Sequence, residues 1–190
     1  MPHTVTRLAA ALAFGAAVFA APAFAGDDHK HDHDHDHNHS KEESRQLDAH
    51  VHGVSTLKVA QDGNKFAFEL ESPADDIVGF ERKPKTDAEK AAVQKAVAMM
   101  GKPKDLFTPP AAAACEAMDV DAELHVHGDH AGFEAKWVYQ CANASAMTGM
   151  TTTFFKNFPK AEEIDVEAVL AGGAMAAELT ASSPTVTFGQ

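Results

Sequence analysis

Basic residues are scarce in this chain. Sixteen lysines and arginines stand against 28 aspartates and glutamates, which leaves a formal net charge of -12 with histidine neutral. Such a surface is repelled by nucleic-acid phosphates and by anionic lipid heads, and it favours cations. Solubility alone also asks for a modest net charge, so the charge by itself does not identify a metal. Cysteine is nearly missing, with Cys115 and Cys141 the only two. There is no His-Glu-x-x-His helix motif, and no Ser/His/Asp grouping stands out. Long apolar runs are missing too, apart from one at the start.

That run reads as an export signal. Arg7 is the only charge before Asp27, Leu8 to Ala20 is apolar, and Ala23-Phe24-Ala25 supplies a small-x-small cleavage pattern. The run is too short for a membrane span, which needs about 20 apolar residues. Residues 1–25 are therefore expected to be removed, giving a soluble periplasmic chain from Gly26 to Gln190. In that compartment two cysteines are expected to form a disulfide. A thiolate zinc site is the alternative. If Cys115 and Cys141 are bonded, metal ligands must come from histidine and carboxylate.

Histidine is plentiful instead. Of the 12, all but His3 lie beyond the signal, and they fall into three groups. The first alternates with aspartate: His29, His31, His33, His35, His37 and His39. Residues 26–46 contain nothing apolar to offset the entropy of ordering, so they are expected to be a disordered tail that wraps cations in many equivalent ways. The second group is His50 and His52. Read as strand residues, they share one face about 6.5 Å apart, so both imidazoles can lean to one ion. The third is His125, His127 and His130, two on a strand and one in the adjoining loop. Imidazole suits zinc, copper and nickel. The two groups either converge on one closed site or form separate open ones.

Residues 47–190 are expected to form a single α+β domain, with a mostly antiparallel sheet built from three hairpins and one clear helix. In the first hairpin Ala49, Val51, Leu57 and Val59 alternate, as do Phe66, Phe68 and Leu70. A turn at Asp62-Gly63 sets Val59 opposite Phe66 and Leu57 opposite Phe68. Thr86-Asp-Ala-Glu89 is a capping box, followed by Val93, Ala96, Val97 and Met100 at helical spacing, with Gly101 and Pro103 ending the helix. Met99 and Met100 are read as packing.

In the second hairpin Val120, Ala122, Leu124 and Val126 face Phe133, Ala135, Trp137 and Tyr139. A four-residue loop, Gly128 to Ala131, sets Val126 opposite Phe133. That register places Cys141 opposite Met118, so a disulfide requires Cys115 to bend back or a bulge to shift the pairing. Residues 143–160 read as a short helix or turn around Phe154, Phe155 and Phe158, or as a strand beginning at Thr151 to Thr153. The third hairpin alternates Ile164, Val166, Ala168 and Leu170, turns at Gly172-Gly173, then alternates Met175, Ala177 and Leu179. Val186 and Phe188 add a final strand.

Several segments together resemble the ZrgA-type family of periplasmic zinc-uptake proteins. They are Gln46-Leu-Asp-Ala-His-Val-His-Gly53, Ser72-Pro-Ala-Asp-Asp-Ile-Val-Gly-Phe-Glu81 and Pro84-Lys-Thr86. With them go Cys115, the His130-to-Cys141 strand, Phe158-Pro159 and Ala177-Glu-Leu-Thr-Ala-Ser-Ser-Pro184. The resemblance implies zinc (Zn2+) binding and a supporting role in zinc acquisition beside an ABC-type importer, whose solute-binding component is the expected partner. It also implies a histidine-rich stretch, matched here by the tail. Two positions depart: Gly132 stands where an acidic residue is expected, and Arg82 where a histidine is. Water or the tail is then left to fill a missing coordination position. Copper or nickel binding is the alternative reading, with Met147, Met150 and Trp137 leaving cuprous copper open. A zinc hydrolase with Glu81 or Glu123 as general base comes behind both.

Overall fold

The computed structural model describes residues 51–189, which belong to one compact unit, Arg45–Gln190. The expected signal, the tail histidines from His29 to His39, and Leu47, Ala49 and His50 lie outside the described residues.

Nine strands and four α-helices make up the described chain. The three expected hairpins are present: β1 (Val54–Asp62) with β2 (Lys65–Pro73), β4 (Cys115–His127) with β5 (His130–Cys141), and β7 (Glu163–Leu170) with β8 (Gly173–Thr180). They join edge to edge into one six-stranded sheet in the order β4-β5-β2-β1-β7-β8. The sheet is mixed, which corrects the expectation of hairpins alone, because β1 and β7 run parallel. The parallel pair begins where the carbonyl of Gly53 accepts from the amides of Glu162 and Glu163. A second sheet of three strands is formed by β3 (Phe107–Thr108), β6 (Gly149–Thr152) and β9 (Thr185–Thr187), the last being the expected final strand.

One helix is long, as the capping box predicts. It is α2 (Asp87–Met100), between α1 (Ala74–Val78) and α3 (Pro103–Leu106). The Thr86 hydroxyl accepts from the Glu89 amide, and the Glu89 carboxylate accepts from the Thr86 amide. Ala96 and Met100 are buried, with Val93 and Val97 packed beside them. Residues 143–160 hold both predicted forms in succession: strand β6, then α4 (Phe154–Asn157). Phe68 stacks on Trp137, Trp137 on Phe107, and Phe107 on Phe154, so the core aromatics run from the large sheet into the smaller elements covering it.

All three registers differ from expectation by two residues. Val59 pairs with Phe68, Leu124 with Phe133, and Ala168 with Met175. In the first two hairpins the turn places glycine first, Gly63-Asn64 and Gly128-Asp129, each glycine at φ 58. That is the II′ pattern, in which the first central residue carries the positive φ. The expected four-residue loop is therefore a two-residue one. Further along β4 a bulge between Met118 and Asp121 shifts the pairing by one more residue, with Asp119 at φ 51. Together these shifts set Cys115 directly opposite Cys141, and the two are disulfide-bonded. The bulge leaves Met118 and Val120 exposed rather than facing the core.

Candidate metal centre

His52 is not on a strand, which corrects the strand-pair geometry expected for His50 and His52. It sits in a turn closed by the Val54 amide on the Val51 carbonyl, with Gly53 at φ 86 in the left-handed region. Val51, expected on the core face, is 66% exposed for the same reason. The turn is fixed from two sides. Gly53 donates its amide to the Asp76 carboxylate at 2.9 Å, and its carbonyl takes the amides of Glu162 and of Glu163, the first residue of β7. Asp76 is 4% exposed, and burial pushes its carboxyl above the usual aspartate range, partly opposed by the Gly53 hydrogen bond.

Asp76 belongs to α1, a single turn set off by Pro73 at the end of β2. Gly79, at φ 85, stops α1, and the chain then carries Phe80 and Glu81 back toward His52. The Glu81 carboxylate lies 3.0 Å from His52 Nε2 and 3.9 Å from His130 Nδ1. His130 opens β5, whose Gly132 pairs with Pro73, so sheet topology brings the β4–β5 hairpin tip alongside α1. Three segments far apart in sequence thus meet at one end of the sheet. The sequence offers Glu81 as a general base, not as a ligand. The signal that it matters was the Gly-Phe-Glu segment itself.

The pair of His52 and Glu81 is electrostatically tuned. The hydrogen bond to Glu81 raises the imidazole above its ordinary range, aided by the charge of Glu81 and, more weakly, of Asp75 and Asp76. His127 is exposed and lies across the ladder from His130. His125, two ladder steps further on, engages other carboxylates: Glu123 at 3.1 Å and Glu134 at 3.0 Å. Its cross-strand partner is Gly132, which offers no side chain. The structure therefore divides the expected ligands, with His52 and His130 converging on Glu81 and His125 standing in a separate cluster.

Arg82 takes a different part. It forms a two-pronged ion pair with Glu89 at 2.7 and 3.2 Å and lies over the Phe80 ring, which ties the Glu81 segment to the start of α2. Arg82 and the Lys85 and Thr86 amides together hold Glu89 down to about 2. Met147, Met150 and Trp137, which had left cuprous copper open, are buried in the core cluster. Cys115 and Cys141 are bonded to each other, so neither offers a thiolate, and the donors available are nitrogen and oxygen. Among the described residues no group of three or more His, Cys, Asp or Glu side chains is arranged so that it could hold a metal ion. His52 and His125 instead lie at 3.0–3.1 Å from carboxylate oxygens, within hydrogen-bond distance, whereas His130 stands off from Glu81 at 3.9 Å.

Comparison with known proteins gives one family. The family model described as ZrgA family zinc uptake protein matches residues 49–188. No curated protein matches the chain.

Proposed function

The chain belongs to the ZrgA family of zinc uptake proteins, and on that premise we propose that it captures zinc in the periplasm and passes it toward a zinc importer. The observation that carries the reading is the meeting of His52, Glu81 and His130 at one end of the sheet. Two imidazoles and a carboxylate are a donor set that zinc accepts, with a fourth position left for water or a further ligand such as His50 or His127. The clamped Gly53 turn fixes the His52 backbone before metal arrives, so little ordering is needed on binding. The two imidazoles are exposed and Glu81 is half-buried, which suits an ion that must leave again.

In this reading residues 1–25 direct export, residues 26–46 are an auxiliary histidine tail, and residues 47–190 form one metal-binding domain. The protein buffers and hands over zinc and is not an enzyme. The solute-binding component of an ABC-type importer is the proposed receiver.

The test is a zinc titration by calorimetry in the full mature chain with its six tail histidines replaced by asparagine. A tight ion should be present, and H52A combined with H130A should weaken it by well over tenfold. Unchanged affinity in that double variant would overturn the proposed site.

A further inference from the structure

The face of the six-stranded sheet turned away from the core carries its side chains in cross-strand rows. One row is apolar on every strand it crosses. It runs Val138, Ala67, Ala60, Val169 and Ala174, successive partners on β5, β2, β1, β7 and β8. A solvated sheet face is ordinarily polar, yet Val169 is 64% exposed and the three alanines are exposed with it. Two residues along the strands lies a row that alternates in sign: Lys136, Glu69, Lys58 and Glu167. Two residues further the row is acidic, with Glu134, Glu71, Asp165 and Glu178 interrupted by Thr56 alone.

The apolar and alternating rows line a groove of about 830 Å³. Ala67 and Ala60 lie in the middle of the apolar row with a valine on either side, which leaves room for a large apolar side chain to enter between them. The charge beside the groove is unbalanced. Lys58 pairs with Glu71, and Lys136 with Glu69 and Glu134, so neither lysine serves Glu167, Asp165 or Glu178. Burial and the charges of Glu178 and Asp165 raise the neighbouring Glu163 carboxyl above its ordinary range, the mark of a locally negative surface.

These features select an occupant. Anionic lipid heads are repelled by the carboxylates. A second copy laid face to face brings like charges together. A twofold along the strands sets the acidic row against itself, and one across them lays each charged row on its own copy or on the apolar row. A cationic segment with one apolar stripe fits both halves of the surface. The apolar row crosses five strands, or about 19 Å, which about 13 residues of α-helix span.

We propose that this groove docks a basic amphipathic helix of a partner protein. The helix lays its apolar stripe along Val138, Ala60 and Val169 and turns lysines or arginines toward Asp165, Glu167 and Glu178, the helix-in-groove mode of recognition. The surface shares no residue with the cluster at Glu81 and does not depend on zinc.

The probe is a dye-labelled synthetic helix of about 14 residues with leucines on one face and arginines on the other, titrated into the full mature chain by fluorescence anisotropy at physiological salt. The parent should bind it. A60Q, which places a polar side chain on the groove floor at unchanged net charge, should weaken binding at least tenfold, and V169S several-fold. D165N combined with E178Q should weaken it several-fold and flatten its salt dependence. All of these positions are exposed, so the variants should keep the fold, checked by circular dichroism. A parent that does not bind, or an A60Q chain that binds as its parent does, overturns the groove and leaves only the attraction of an acidic surface. Self-association of the parent in sedimentation that A60Q abolishes, or capture of the parent on anionic vesicles, overturns the choice of occupant. The capture site fails separately, if H52A combined with H130A retains the tight zinc ion.

Discussion

In the proposed site a proton and a zinc ion compete for one nitrogen of His52, with the Glu81 carboxylate favouring both. Its hydrogen bond and charge raise the imidazole above the ordinary value of about 6.5. The folded state therefore gains from the protonated pair fully below that ordinary value and loses the gain as pH rises through the raised one. Zinc affinity runs the other way, because the ligand must be neutral. In the proposed site it should climb as the His52 proton leaves. E81Q separates the two effects. The imidazole should titrate closer to its ordinary value, visible in the NMR shift of its ring proton. Fewer protons should be released per zinc near neutral pH, yet the ion should bind at least tenfold more weakly, which is about 1.4 kcal/mol. An E81Q chain with unchanged zinc affinity would show that the carboxylate tunes His52 without acting as a ligand.

At the scale of elements, the β4–β5 hairpin separates a covalent end from a ligand end. The disulfide joins the first residue of β4 to the last of β5, and His127 and His130 face each other at the tip. Twelve strand steps span about 40 Å. Reduction should therefore lower stability by roughly 2–4 kcal/mol in a denaturant titration while leaving the tight zinc affinity unchanged. A large loss of zinc binding on reduction would mean that the tip depends on the far end.

The same hairpin marks how far the sequence could be read. Alternation located all three hairpins and most of their apolar positions, with Val51, Val120 and Val126 exposed against expectation, and the capping box located α2. Alternation could not fix register, since a shift of two residues keeps every side chain on its face. The II′ turns at Gly63 and Gly128 decided that, and the bulge at Asp119 then aligned Cys115 with Cys141. Pairing between hairpins was not legible either. That left unseen both the parallel β1–β7 contact and the meeting of His52, Glu81 and His130 at one end, which depends on contacts remote in sequence. His52 was recognised as a candidate ligand, but its turn was missed, because Val51 mimicked a strand residue.

On the scale of the whole molecule, histidine is distributed between two chemically different regions. The described residues own a core cluster that draws on residues from Leu57 to Phe188, whereas the sequence of residues 26–46 contains nothing apolar. The tail sequence instead offers six imidazoles at alternate positions with aspartates between. In the proposed function the two regions bind zinc independently and with different economy. A turn clamped by Asp76 presents one imidazole beside a carboxylate already in place, whereas any tail arrangement must give up chain entropy for each ligand it recruits. The tail should accordingly bind more ions more weakly, and the domain fewer ions more tightly. Deleting residues 26–40 should lower the number of zinc ions bound, leave the tightest dissociation constant within a factor of about three, and leave the metal-free melting temperature unchanged. Loss of the tight ion on that deletion would move the capture site into the tail and leave the cluster at Glu81 as an ordinary set of surface ion pairs.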